Sequence, residues 1–185
     1  MKFSMVDDIR QVLSFDTEDY PKKAAELIVP FFGDIRTAFA VDKSAYTKLT
    51  AVGDPFDILQ IILIEAMFID GKLDKKEYAV YQAICDACHY ESASGETLGA
   101  VMESLEKEAK QATWEDCRLF VFNLREREAD PLVYHNFLLA LWCLIFANED
   151  LTEREYDFAL CFYDCVGDEY PHTFTDCKAA LAEKS

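Results

Sequence analysis

Basic residues are scarce in this chain of 185 residues: 18 Lys and Arg stand against 35 Asp and Glu, a formal net charge of −17. A surface of that sign repels phosphate backbones, so direct binding of nucleic acid is not expected. It argues equally against docking on anionic lipid headgroups through a basic patch. Glycine is scarce too, six in all, and neither a Gly-rich phosphate loop nor a Gly-x-Ser-x-Gly elbow occurs. Asn-Gly and Gly-Gly are missing and alternating apolar runs are short, which argues against hairpin sheets. The longest apolar runs, 58–69 and 137–147, reach about a dozen residues against the roughly 20 of a bilayer span, so no transmembrane segment is expected. No apolar stretch of signal-peptide length opens the chain. Seven cysteines, an odd number, fit a reducing compartment better than a disulfide framework. A cytoplasmic protein is the expectation.

Against these absences stands abundant core material. Hydrophobic residues make up 51% and aromatics 14%, which excludes a disordered tail. Helix punctuation is frequent. Asp54-Pro55 and Asp130-Pro131 each supply a capping carboxylate followed by proline at the first helical position. Leu98, Val101, Met102, Leu105 and Ala109 follow helical spacing over 95–111. Thr113 caps a further predicted helix with Trp114, Cys117, Val121 and Leu124 on one face. Upstream, 21–32 reads as a short helix that Pro30 and Gly33 close, with helical pieces to about position 49.

The strongest signal is a repeat. The run Ile69-Asp70-Gly71-Lys72-Leu73-Asp74-Lys75-Lys76-Glu77-Tyr78 ends one apolar helix and starts another. Ala147-Asn148-Glu149-Asp150-Leu151-Thr152-Glu153-Arg154-Glu155-Tyr156 does the same 78 residues later. The expected fold is all-α: a single helical-bundle domain in which two pseudo-twofold-related helical hairpins, 54–90 and 130–167, are joined by a central helix pair. Residues 1–53 form an N-terminal helical extension packed on or flanking that core, and 168–185 a tail with one short helix near 175–183.

Each copy carries a capping box, Asp74 with Glu77 and Thr152 with Glu155, in which the Glu reaches back to the cap's own N–H. Leu73 with Tyr78 and Leu151 with Tyr156 stand where a hydrophobic staple stands. Gly71 suits a left-handed turn closing the first helix. Asp70 and Asp74, four residues apart on a tight loop, also offer a hard-cation arrangement. The candidate metal ligands are therefore Asp70, Asp74, Glu77, Asn148, Glu149, Asp150 and Glu155, for Ca²⁺, Mg²⁺ or Mn²⁺ where the two loops converge. The solvated or capping role of the same acids is the competing reading.

The first copy resembles the helix–loop–helix signature of the TerB-like family, the tellurite-resistance TerB proteins and the N-terminal domain of DjlA-type co-chaperones. The second copy departs from it, with Asn148-Glu149-Asp150 in place of Asp70-Gly71-Lys72. The resemblance spans about 54–167. It implies an all-helical fold, a cytoplasmic stress-response role in membrane-associated assemblies through a protein partner, and metal binding through loop acids. It implies no known reaction.

Three other features invite chemistry. Glu65 interrupts an otherwise apolar helix, either at the rim of the core or as the centre of an enzyme pocket. Cys85-Asp86-Ala87-Cys88-His89 spells a haem-attachment string, but Tyr78, Tyr81, Cys85 and Cys88 share one apolar stripe, so no haem is expected. Zinc between Cys85, Cys88, Cys161 and Cys165 is disfavoured, because these cysteines sit mid-helix rather than in tight turns. His89, His135 and His172 match no ligand or catalytic spacing, and no catalytic residue is assigned. The leading expectation is a non-enzymatic module that binds a protein partner and a divalent cation. A metal-free acidic scaffold and an enzyme built around Glu65 are its rivals.

Overall fold

Ser4 accepts a hydrogen bond from the N–H of Asp7 and starts helix α1, Met5–Leu13, in the computed structural model, which describes residues 3–41, 55–90, 121, 130–164 and 172–183. A 3₁₀ turn, Thr17–Asp19, capped by Asp16, leads into α2, Tyr20–Val41. Then follow α3, Pro55–Phe68, and α4, Lys75–Ala87. Asp130 caps α5, Pro131–Ile145, with Pro131 in its first turn as the sequence predicts. A 3₁₀ turn, Phe146–Asn148, separates α5 from α6, Glu153–Asp164, and α7, Phe174–Ala182, closes the described chain. Among the described residues all regular structure is helical. The protein is an all-α bundle. The predicted helices at 95–111 and 113–124 lie outside the described residues, except for Val121, which is helical and buried.

The expectation that Pro30 and Gly33 end a short helix is wrong. Helix α2 runs through both to Val41. A proline inside a helix removes one backbone hydrogen bond and crowds the preceding turn, at a cost of about 3 kcal/mol. Here Pro30 and the Glu26 one turn before it are exposed, so water can reach the freed carbonyl. The opposite face buries Ala24, Ile28, Phe31, Phe32 and Ile35. At about 1.5–3 kcal/mol for each large apolar side chain, that burial outweighs the local loss.

Helix α2 packs chiefly against α5 and α4, while α1 lies on α7 and α5. Phe31 of α2 stacks on Phe137 of α5 with ring centroids 4.4 Å apart, and Phe162 of α6 meets Phe137 edge-on at 5.4 Å. Helix α5 is apolar nearly all round: every residue from Phe137 to Ala147 is buried. With its following turn it is long and apolar enough to cross a membrane by length and composition, and 67% of that stretch is buried in this fold.

Candidate functional site

The two repeated turns fold alike. After α3, Gly71 takes the left-handed conformation at φ 84° and its N–H bonds to the Phe68 carbonyl at 2.8 Å. After α5, Glu149 takes the same conformation at φ 66°, and its N–H bonds to the Phe146 carbonyl at 2.9 Å. Asp70 Oδ1 accepts from the N–H of Lys72 at 2.8 Å, and Asn148 Oδ1 accepts from the N–H of Asp150 at 2.9 Å. These are side-chain-closed turns, the local bonding for which Asp and Asn are suited. The helix that follows begins in each case with a complete capping box. Asp74 Oδ1 accepts from Lys76 N at 2.7 Å, and Glu77 Oε2 accepts from Asp74 N at 3.1 Å. Thr152 Oγ1 accepts from Glu155 N at 3.3 Å, while Glu155 Oε2 accepts from the N–H and the hydroxyl of Thr152 at 2.6 and 2.7 Å.

The turns meet. Asn148 Nδ2 donates to Glu77 Oε1 at 2.8 Å, Lys76 Nζ donates to Glu149 Oε1 at 2.8 Å, and Lys178 of α7 holds Asp150 at 2.6 Å. Glu77 and Glu155 are 2% and 1% exposed, the deepest acids of the seven candidates. Burial pushes the Glu77 carboxyl up to about 8 against the pull of the Asp74 N–H, and the nearby charges of Asp70, Glu155 and Asp74 add to the rise. Glu155 is raised for the same leading reason, with Asp70 and Asp150 contributing. Asp70 thus lies within electrostatic reach of both buried glutamates. Asp150 moves the other way, lowered first by its bond from Lys178.

The structure therefore gathers the seven residues in one region but sorts them. Glu77 and Glu155 point inward as caps, while Glu149 and Asp150 face outward in ion pairs with lysines. Among the described residues no three Asp, Glu, His or Cys side chains are gathered as a metal cage. Oxygen donors of this kind suit a hard cation.

Glu65 is half-buried. Cys85 and Cys88 are buried on the inner stripe of α4 with Tyr81, and burial pushes both thiols up to about 12, far from the reactive thiolate range. Cys161 donates to the Asp157 carbonyl at 3.2 Å, and Cys165 lies outside the described residues.

Sequence spacing missed one polar chain altogether. Asp8 of α1, 3% exposed, accepts from Tyr163 Oη at 2.6 Å and pairs with His135 Nε2 at 2.6 Å. Trp142 Nε1 in turn donates to Tyr163 Oη at 2.8 Å, and Phe3 stacks on the His135 ring at 4.9 Å. The partners lie 127 and 155 residues from Asp8, so no local motif announces them. The available signal was weaker: Asp8 falls on the same helical face as Met5, Ile9 and Val12. This chain of hydrogen bonds ties α1 to α5 and α6.

Comparisons with protein-family models, curated proteins and solved structures return no match.

Proposed function

We propose that this chain is a non-enzymatic, TerB-like helical module of the cytoplasm that engages a basic protein partner in a stress response. One observation carries the reading. The acids that offered chemistry are spent on helix caps, turn closure and ion pairs, so the −17 charge acts as a surface property rather than as a reaction centre. Exposed acids such as Glu18, Asp19, Asp86 and Asp157 have no such buried duty. Affinity capture with the full chain tests this against bait carrying Glu18→Lys, Asp19→Lys, Asp86→Lys and Asp157→Lys. A partner rich in Lys and Arg should be held by the native bait, released in about 0.5 M NaCl, and lost with the reversed bait. Retention of the same proteins by both baits would overturn the reading.

A second reading has its own support. Asp70 raises both buried glutamates, and like charges held together out of water are relieved by a proton or by a cation. Asp70, Glu77 and Glu155 would hold a divalent ion there, with Asp74 and Asn148 orienting them and Glu149 and Asp150 at its edge. Calorimetric titration with Ca²⁺, Mg²⁺ and Mn²⁺ should then release protons, visible as a dependence of the heat on buffer, and Asp70→Asn should abolish it. Flat traces for the native chain with all three ions would remove the cation.

A further inference from the structure

Beside the paired turns lies an open cleft of about 580 Å³, a size that suits a small ligand or large side chains. Leu13, Phe15, Phe146 and Leu181 give it an apolar lining. Among the described residues of that lining, Asp16 and Glu149 are the charged groups, and none is Lys or Arg. Thr17 and Tyr20 add hydroxyls. The Tyr20 hydroxyl is pushed up to about 12, by burial first, then by Cys143, Glu149 and Asp16. Exposed Glu18 and Asp19 extend the acidic rim along the adjoining turn.

We propose that this cleft receives a Lys or Arg side chain, with an apolar neighbour, from a protein partner. The assignment rests on the partner reading above and adds its place and chemistry. A long basic side chain lays its methylenes on apolar surface while its head stays among carboxylates, which matches this lining and rim. The ring of Phe15 already takes a cation, with Lys23 Nζ 5.8 Å from its centroid. The Lys76–Glu149 pair does not block entry, because both side chains are more than half exposed, at 61% and 58%, and such pairs exchange readily. A second copy of this chain is repelled by its own charge, and so are anionic headgroups.

The test uses the full-length chain in EDTA, so that the cation reading plays no part. The probe is acetyl-Leu-Arg-Phe-amide, followed by amide chemical shifts, with its Arg→citrulline analogue and phenethylammonium alongside. The Arg peptide should shift Phe15, Thr17, Glu149 and Leu181 saturably, and the uncharged analogue should bind at least about five-fold more weakly. Asp16→Asn, which keeps the capping side chain, and Glu149→Gln should each weaken the peptide by about two- to five-fold. Thermal melts of both variants report that they remain folded. Equal binding of the citrulline peptide, no saturable shift, or saturable shifts elsewhere would remove the cleft assignment. The capture experiment judges the partner reading separately. Phenethylammonium binding as tightly as the peptide would move the site to free amines and overturn the assignment to a protein.

Discussion

Glu149 is where residue-scale cost is easiest to see. Its repeat counterpart, Gly71, adopts a left-handed backbone without a Cβ penalty, whereas Glu149 holds φ 66° with a full side chain. That conformation costs an L-residue about 1–2 kcal/mol, and residues held so are commonly found where function needs them. Glu149→Gly should therefore raise stability by about 1 kcal/mol, read as a higher urea midpoint at unchanged slope. The loss of an exposed pair with Lys76 works against this only weakly. A lower midpoint would show that the Glu149 side chain repays its backbone. The same variant should weaken the Arg peptide, separating what stabilises the turn from what serves the cleft.

At the scale of elements, punctuation was legible and continuity was not. The Asp130 cap with Pro131, the capping boxes at Asp74 and Thr152, and the left-handed Gly71 are all local chemistry, and local chemistry is what a sequence displays. The third box, Thr173 with Asp176 at the start of α7, is harder to read because Asp stands where Glu is the usual signal. Pro30 reads locally as a helix stop, while the packing that carries α2 through it comes from α4 and α5, remote in sequence. For the candidate site, the sequence named six acids and one asparagine and the capping role of Asp74, Glu77 and Glu155, but not which would face inward. That depends on Asn148 meeting Glu77 across 71 residues, a contact between helix ends that spacing cannot encode. The Pro30 account has a direct consequence. Pro30→Ala restores a donor to the Glu26 carbonyl on an exposed face, so the variant should be more stable by about 1–2 kcal/mol after allowing for the freer unfolded chain. Unchanged or lower stability in urea would mean that α2 needs its proline geometry to fit between α4 and α5.

For the whole molecule, the buried glutamates set a pH dependence opposite to that of ordinary surface acids. Glu77 keeps its proton in the folded state up to about 8, whereas its ordinary value is 4.5. Between those values the folded chain binds a proton that the unfolded chain has released. Stability is then greatest toward the acid end of the window and falls as pH rises through it, by at most ~1.4 kcal/mol per pH unit for one group. Glu155 is raised as well and works in the same direction. Asp150 and Asp176 are lowered, so their contribution fails only on the acid side of ordinary carboxylates, outside the window from about pH 5 to 8. Growing self-repulsion of a chain at −17 slopes the same way, but about 0.5 M NaCl screens exposed charges and not the dehydration of Glu77. Urea melts in EDTA and high salt should therefore still show falling stability from pH 5 to 8. Glu77→Gln, which can keep the bond from the Asp74 N–H but loses the one from Asn148 Nδ2, should show a flatter fall in stability from pH 5 to 8 than the native chain. A native profile that is flat or rises over this range would contradict the burial argument. If a divalent ion binds at the junction, adding it must flatten the native slope, because the ion takes the place of the proton, and must leave the Glu77→Gln slope nearly unchanged.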